Sequence, residues 1–212
     1  MTSSDSETLT STFREVMAGV ATPVTVVTAM GDAAPRGTTV SAFASLSIRP
    51  PMVMVALDRG SGLLSSIDGS RRFGVNVLGS GQSALALRFA RKGGVEKFDG
   101  VPWQVDNDLP RLPEAPGWLA CTVSDLVDGG DHVIVLGEVI AAETYGGAPL
   151  TYHSRLFGTH SALTETICWR TRFRRRRRIF RSKRCNVPLP RSLPAAWSWW
   201  STTKTARTRA IC

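Results

Sequence analysis

The chain has no run of 18 apolar residues, so no membrane-spanning helix is expected. Its first residues, Met1 to Glu7, lack the basic and apolar regions of a secretory signal, which points to the cytoplasm. Histidine is scarce: His132, His153 and His160 are the whole supply. No Ser-His-Asp set and no nucleophile beside its base can be picked out, which argues against hydrolysis by a covalent route. The four cysteines show no C-x-x-C and no histidine at zinc spacing, so neither metal nor disulfide is expected. Cys121 lies inside the apolar run Trp118–Val127 and reads as a core thiol. Acidic residues are almost missing from one end. Residues 164–212 hold 12 Arg and 2 Lys against Glu165 alone, so the net +9 of the whole chain divides into about −4 and +13. The same end carries four of the six Trp and three of the four Cys. Two compositions meet near Leu163.

Ahead of that junction, the chain is organised around Gly37–Pro51. This stretch places five hydroxyl side chains among small and apolar residues and runs through Pro50-Pro51 into Met52-Val53-Met54-Val55-Ala56-Leu57. The apolar run predicts a buried strand. The hydroxyls and backbone amides before it suit a ligand rich in hydrogen-bonding atoms, such as a phosphate or an isoalloxazine edge. Taken alone, they equally fit a Ser/Thr-rich strand and turn without a ligand. Residues 1–12 are polar and predicted disordered, with a short helix over Phe13–Ala18 capped by a Thr12–Glu15 box. Strands are predicted over Val24–Thr28, Arg72–Leu78, Trp103–Val105, Trp118–Val127, His132–Thr144 and Leu150–Gly158. Short helices are predicted at Leu63–Ile67, stopped by Gly69, and at Ser83–Ala90. Many strands with few helices predict a mainly β, closed or nearly closed barrel.

Gly79-Ser80-Gly81-Gln82-Ser83-Ala84 fits the G-x-G-x-x-A pattern of dinucleotide sites. Such a site needs a second buried strand about 20 residues on, ending in an acid. Gly93–Gly100 supplies none, so a tight strand-to-helix turn is the better reading.

Thr38-Thr39-Val40-Ser41-Ala42-Phe43-Ala44-Ser45-Leu46-Ser47, followed by Pro50-Pro51-Met52-Val53, resembles the signature of the flavin reductase-like family. Phe73–Leu78, Lys97-Phe98 and Gly130–Val139 match in the same order, and Pro149–Arg155 resembles the family's closing strand. The match runs from about Phe13 to about Leu163. The resemblance implies a split β-barrel of the FMN-binding, Greek-key type over 13–163. It also implies a homodimer that reduces FMN or FAD with NADH or NADPH for a separate flavin-dependent monooxygenase.

By the same resemblance, Gly37, Thr38, Thr39, Val40, Ser41 and Ala42 lie along the ring. Ser45, Leu46 and Ser47, with the turn holding Ala56, Leu57, Asp58, Arg59 and Ser61, hold the ribityl chain and phosphate. Arg59 is near enough in sequence to offset phosphate charge, and a solvated loop arginine is an equal alternative. Asn76, Lys97 and Phe98 are further candidate contacts; for Asn76 a bond to backbone is an equal alternative, and Lys97 is placed near a phosphate. Tyr152, His153, Ser154 and Arg155 correspond to the segment that contacts the nicotinamide cofactor. His132 lies near the nicotinamide, where an imidazole can donate to a carboxamide or flavin carbonyl, and Asp131 orients it.

The tail runs through Arg174-Arg175-Arg176-Arg177-Arg178 to Trp197, Trp199 and Trp200. A basic arm with aromatics can bind nucleic acid or an acidic partner. The abrupt switch to Arg, Trp, Pro, Ser and Cys is also what out-of-frame reading of G+C-rich DNA produces, and no packed element is expected there. Two rivals therefore stand beside the reductase: a nucleic-acid-binding or regulatory protein on a flavin-type barrel, and a flavin carrier without enzymatic activity.

Overall fold

Strand-forming runs dominate the structure, a computed structural model that describes residues 3–32 and 34–160. The tail at 164–212 lies outside the described residues, as do residues 161–163. Helix α1 (Ser3–Ala18) leads into strands β1 (Thr22–Pro23), β2 (Thr25–Met30), β3 (Pro35–Val40), β4 (Phe43–Ile48) and β5 (Pro51–Asp58). Helix α2 (Gly62–Ser70), β6 (Arg72–Val77), helix α3 (Ser83–Ala90) and a 3-10 turn at Val95–Phe98 follow. The chain continues through β7 (Gln104–Asp106), β8 (Leu109–Arg111), β9 (Gly117–Gly129), β10 (His132–Thr144), β11 (Thr151–His153) and β12 (Leu156–Gly158).

Seven strands form one antiparallel sheet in the order β3-β2-β6-β9-β10-β5-β4. The sheet curls until β3, at one edge, comes back beside β5. The result is the mainly β split barrel expected from the sequence. Its interior follows from alternation along the strands. On β5, Val53, Val55 and Leu57 point inward. They meet Val27, Phe73, Val75, Cys121 and Val135, with Leu63 and Ile67 of α2 closing one end. Each such side chain contributes about 1.5–3 kcal/mol on burial. Gly137 belongs to this arrangement, because a Cβ there would fall within the ring of Phe73. A second cluster, with Val26, Leu78, Phe89, Phe98 and Leu112, packs under α3.

The buried Cys121 thiol is pushed up to about 12 by desolvation, as a core cysteine should be. Gly79 to Gln82 is the tight turn expected. The Gly79 N–H donates to Gln82 Oε1 (2.8 Å), and the Gln82 N–H returns to the Gly79 carbonyl (2.9 Å).

Three expectations are corrected. Residues 3–12, expected to be disordered, continue α1. The Thr12 hydroxyl bonds the Thr8 carbonyl inside the helix instead of capping it. Leu9, Phe13, Val16 and Met17 recur on one exposed stripe, a helical period hidden by the Ser/Thr-rich composition. Helix α2 runs past Gly69 and ends at Arg71, which takes the left-handed conformation (φ 55°). The strand expected over Leu150–Gly158 is a hairpin, β11–β12, turned by Ser154 (φ 51°) and Arg155 (φ 62°).

A candidate flavin cleft between two sheet edges

The β3-to-β4 link is where the sheet fails to close. Strand β3 pairs with β2 as far as Val40, β4 begins at Phe43, and Ser41 and Ala42 lie between them, outside both ladders. Across from this link, β5 ends at Asp58. Together they wall a cleft of about 230 Å³ lined by Thr38, Thr39, Val40, Ser41, Ala42, Ala56, Leu57, Asp58, Ser61 and His132. Ala42 and Ala56 keep the cleft open, Val40 and Leu57 back it with side chains that belong to the barrel core, and Thr38, Ser41, Asp58 and Ser61 give it a largely polar surface. Not every hydroxyl faces the cleft: Thr39 Oγ1 donates to the Ala86 carbonyl of α3 (2.7 Å).

The floor turns sharply after β5. Asp58 Oδ1 accepts from the Gly60 N–H (2.7 Å), and the Asp58 carbonyl accepts from the Ser61 N–H (3.0 Å). Ser61 then caps α2, its Oγ accepting from the Leu63 N–H (3.3 Å). Beyond Ser61 a larger cavity of about 810 Å³ opens between the β2–β3 turn and α2. Arg36, Gly62, Ser65 and Ser66 are among its walls. A Cβ on Gly62 would lie 3.2 Å from Arg36 Nη1, so this guanidinium sits over the start of α2.

His132 opens β10 directly opposite Asp58. Its Nδ1 lies 2.7 Å from Asp131 Oδ1, which leaves Nε2 for the cleft side. The hydrogen bond from His132 holds the Asp131 carboxyl below its ordinary range. The charges of His132 and Arg59 act in the same direction. An imidazole whose Nδ1–H is held by a carboxylate offers Nε2 to a ligand, accepting from an N–H when neutral and donating to a carbonyl when protonated, without itself reacting.

The structure brings together ten of the residues singled out in the sequence and takes others elsewhere. Gly37 is a packing residue: a Cβ would come within 3.0 Å of the Phe89 ring. Ser45, Leu46 and Ser47 lie on the exposed edge strand β4 and do not line the cleft; Ser47 Oγ accepts from the Arg49 N–H (3.2 Å). Asn76 is fully buried. Its amide donates to the Val26 carbonyl (3.1 Å), and its oxygen accepts from the Leu112 N–H (2.8 Å), so backbone is its partner. Lys97 is buried as well, Nζ donating to the Gly37 and Phe89 carbonyls at 3.2 Å each. Burial pushes its ammonium below the ordinary lysine range. Phe98 packs edge-on against Phe89, with ring centroids 4.9 Å apart. Tyr152, His153, Ser154 and Arg155 belong to the β1-β11-β12 sheet, where the Ser154 N–H bonds the Ala18 carbonyl (2.7 Å), and none of them lines the cleft. Arg59 turns away to the β9–β10 turn.

Sequence reasoning passed over Arg36. A signal was present: Arg36 is a lone charged residue two positions before Thr38 on the same strand, and alternation along a strand puts such positions on one face.

The sequence pattern of the flavin reductase like domain matches residues 17–161, and the chain belongs to that family. A reductase component of a 4-nitrophenol 4-monooxygenase/4-nitrocatechol 2-monooxygenase from Rhodococcus opacus is 41% identical over 159 residues, covering 75% of this chain and 85% of the relative. An NADH-dependent FMN reductase of Agrobacterium fabrum is 36% identical over 152 residues, covering 70% and 85%. Among solved structures, the NADH:FAD oxidoreductase of Streptomyces globisporus superposes with a TM-score of 0.67 at 33% identity, covering 71% of this chain and 92% of that one. The same oxidoreductase has been solved in complex with NAD and FAD fragments.

Proposed function

We propose that this protein is an NAD(P)H-dependent flavin reductase that passes reduced FMN or FAD to a separate flavin-dependent monooxygenase. One observation carries the reading: a hydroxyl-lined cleft between edge strand β3 and the end of β5 has, on its rim, a histidine already oriented by a carboxylate. Similarity to reductase components and to NADH-dependent flavin reductases supports it.

The residues present fit a flavin. The Val40–Ala42 and Ala56–Leu57 walls take the flat ring, and Ser41 offers a hydroxyl at its edge. Ser61 and Arg36 stand where a ribityl phosphate would emerge, and the Arg36 guanidinium makes no hydrogen bond or ion pair among the described residues, its charge helping to lower the Glu96 carboxyl. The cavity beyond Arg36 has room for the adenylate half of FAD, so both flavins are accepted. Bound flavin supplies a hydride acceptor at N5, and the nicotinamide is the donor. The chain's part is to hold the ring against the slot wall, to keep the two rings at reactive distance, and to give the nicotinamide carboxamide a hydrogen-bond partner at His132 Nε2, which accepts from the carboxamide N–H when the ring is neutral and donates to its carbonyl as imidazolium. No side chain has to accept the transferred hydrogen.

A homodimer is part of the proposal. The stripe Leu9, Phe13, Val16 and Met17 on α1, together with Leu46 and Ile48 on edge strand β4, exposes more apolar surface than a lone copy needs. The segment Tyr152–Arg155, remote from its own cleft wall, is then placed to act at an interface. No helix among the described residues is long and apolar enough to cross a membrane. A cytoplasmic site, where nicotinamide donors are regenerated, completes the reading.

The test is direct. Purified protein should oxidise NADH or NADPH only when FMN or FAD is added, and should keep that activity when residues 164–212 are removed. Flavin binding without nicotinamide oxidation would favour a carrier. Loss of a nucleic-acid affinity on truncation, with no reductase activity in either form, would favour the binding protein.

A further inference from the structure

Arg59 is the first residue after β5, and its partners all lie on the opposite turn. Its N–H donates to the Asp131 carbonyl (3.2 Å), its Nε to the Gly130 carbonyl (2.8 Å), and its Nη2 to Asp128 Oδ1 (2.7 Å). The ladder between β5 and β10 stops at the Asp58–His132 pair, so the grip begins where strand pairing ends. The gripped turn contains Gly129 and Gly130, the latter at φ +72°, and glycines leave a backbone free to move unless something holds it. Asp131 and His132 follow at once.

We propose that Arg59 is a positioning residue for His132. Its planar fork fixes the Asp128–Asp131 turn so that the Asp131–His132 pair is presented to the cleft, and it is not a ligand of the flavin phosphate. The proposal rests on the reading of His132 as the nicotinamide-side group. Three points support it. The guanidinium is already engaged at two of its nitrogens, and the third bond comes from the backbone of the same residue. The cleft lining passes from Asp58 to Ser61 without Arg59. The Arg59 and Asp128 side chains are 45% and 85% exposed, and an exposed ion pair of this kind contributes little to global stability. Its effect is therefore local: it sets the orientation of one turn. Lysine could keep the charge facing Asp128 but could not reach two acceptors in one plane.

The full-length chain is made as Arg59→Ala, Arg59→Lys, Asp128→Ala and the Arg59→Ala/Asp128→Ala double variant, with His132→Ala alongside. Three quantities are read: FMN and riboflavin affinity by flavin fluorescence, kcat and KM with NADH, and amide hydrogen exchange at residues 129–132 in flavin-free protein. The clamp predicts that Arg59→Ala and Asp128→Ala each lower kcat/KM for NADH by about tenfold. The double variant should be no worse than the singles, Arg59→Lys should fall between, and exchange at 129–132 should quicken. The ratio of FMN to riboflavin affinity should stay unchanged. A selective loss of FMN over riboflavin in Arg59→Ala, with Asp128→Ala silent, would make Arg59 a phosphate ligand and overturn the proposal. Unchanged exchange in Arg59→Ala would overturn it as well. If His132→Ala leaves turnover intact, the reading of His132 fails, while the exchange result still decides whether Arg59 clamps the turn.

Discussion

Lys97→Met separates a lysine that holds the fold from one that holds a phosphate. In the sequence Lys97 resembled a cofactor contact. In the structure its Nζ is buried and joins two elements, donating to the Gly37 carbonyl of β3 and the Phe89 carbonyl near the end of α3. Phe89 is one of the last residues of its helix, where carbonyls have no partner further along the chain. Hydrogen bonds from a charged donor contribute about 1.5–3 kcal/mol each. Methionine keeps most of the stem and removes both bonds, and relief from burying the ammonium offsets part of the loss. The expected net cost is about 2–3 kcal/mol, or roughly 5–10 °C in Tm for a domain of this size.

The flavin side of the experiment is equally specific. Lys97 does not line the cleft, so the ratio of FMN to riboflavin affinity should not change, although both affinities can fall together as β3 loosens. The pH dependence provides a further check. Burial lowers the folded pKa below the unfolded value of 10.5. Between the two values the unfolded chain holds a proton that the folded chain does not, so Lys97 makes stability rise with pH in that alkaline window. Lys97→Met should remove this rise. An unchanged Tm together with a tenfold selective loss of FMN over riboflavin would show that Lys97 reaches the phosphate and that the two carbonyl bonds mean little.

Other substitutions probe the cleft and its surroundings. Arg36→Ala should weaken FMN binding about tenfold and riboflavin binding hardly at all, as removal of one charge-assisted phosphate contact requires; equal losses would remove Arg36 from the phosphate end. Ser41→Trp should fill the slot between Val40 and Ala56 and abolish flavin binding with far-UV circular dichroism unchanged; retained affinity would relocate the site. His132→Ala should lower kcat with NADH by about tenfold while flavin affinity survives; equal loss of both would take His132 away from the nicotinamide. Glu143→Gln concerns acid stability. The hydrogen bond from Arg111 (2.6 Å), followed by that from Tyr145, lowers the Glu143 carboxyl from 4.5 to about 2. A folded pKa below the unfolded one contributes stability above 4.5 that is lost as pH falls through about 2. Glu143→Gln should therefore flatten the acid limb of the Tm profile between those values, and an unchanged limb would discount the pairing.

The cleft was legible in the sequence because its ten lining residues fall in two short runs and one turn. Thr38–Ala42 and Ala56–Ser61 face each other across adjoining strands, and His132 stands in register with Asp58. The unbroken apolar run Met52–Leu57 marked β5 as a buried strand, while which of its side chains go inside came only from the structure. Lys97 and Arg59, which the structure takes away from the cleft, each have a partner remote in the chain, and residue type gives no hint of it. Lys97 is bonded to Gly37, 60 positions away, and Arg59 to Asp128, 69 positions away. Asn76 reaches Val26 and Leu112. A polar residue inside an apolar segment signals that a partner exists, not whether it is backbone or ligand. The β11–β12 hairpin was missed for a different reason. Its two left-handed residues are Ser154 and Arg155, so the glycine that normally marks such a turn is absent.

The cleft and the exposed apolar surface have one origin in the unclosed barrel. A sheet with two free edges presents unpaired backbone groups and invites pairing with other chains. Here both edges, β3 and β4, meet at the Ser41-Ala42 link and lie against β5. At the link the Ala42 carbonyl already accepts from the Ala56 N–H (3.0 Å); sealing the rest of the seam with a regular ladder would fill the slot with side chains. The protein would gain stability and lose the room that Ala42 and Ala56 leave at the seam. The seam instead carries Ser41, Ala42 and Ala56, while the long paired strands β9 and β10 and the packing of Phe73 against Gly137 hold the rest of the barrel together. Anything that fills the slot, whether ligand or a bulky residue such as Trp at position 41, should therefore stabilise β3 and β4 more than the opposite side of the barrel. Amide exchange measured with and without FMN should show protection concentrated at residues 38–48 and 56–61, with β9 unchanged. Uniform protection across the sheet would mean that the seam is not where the flavin binds.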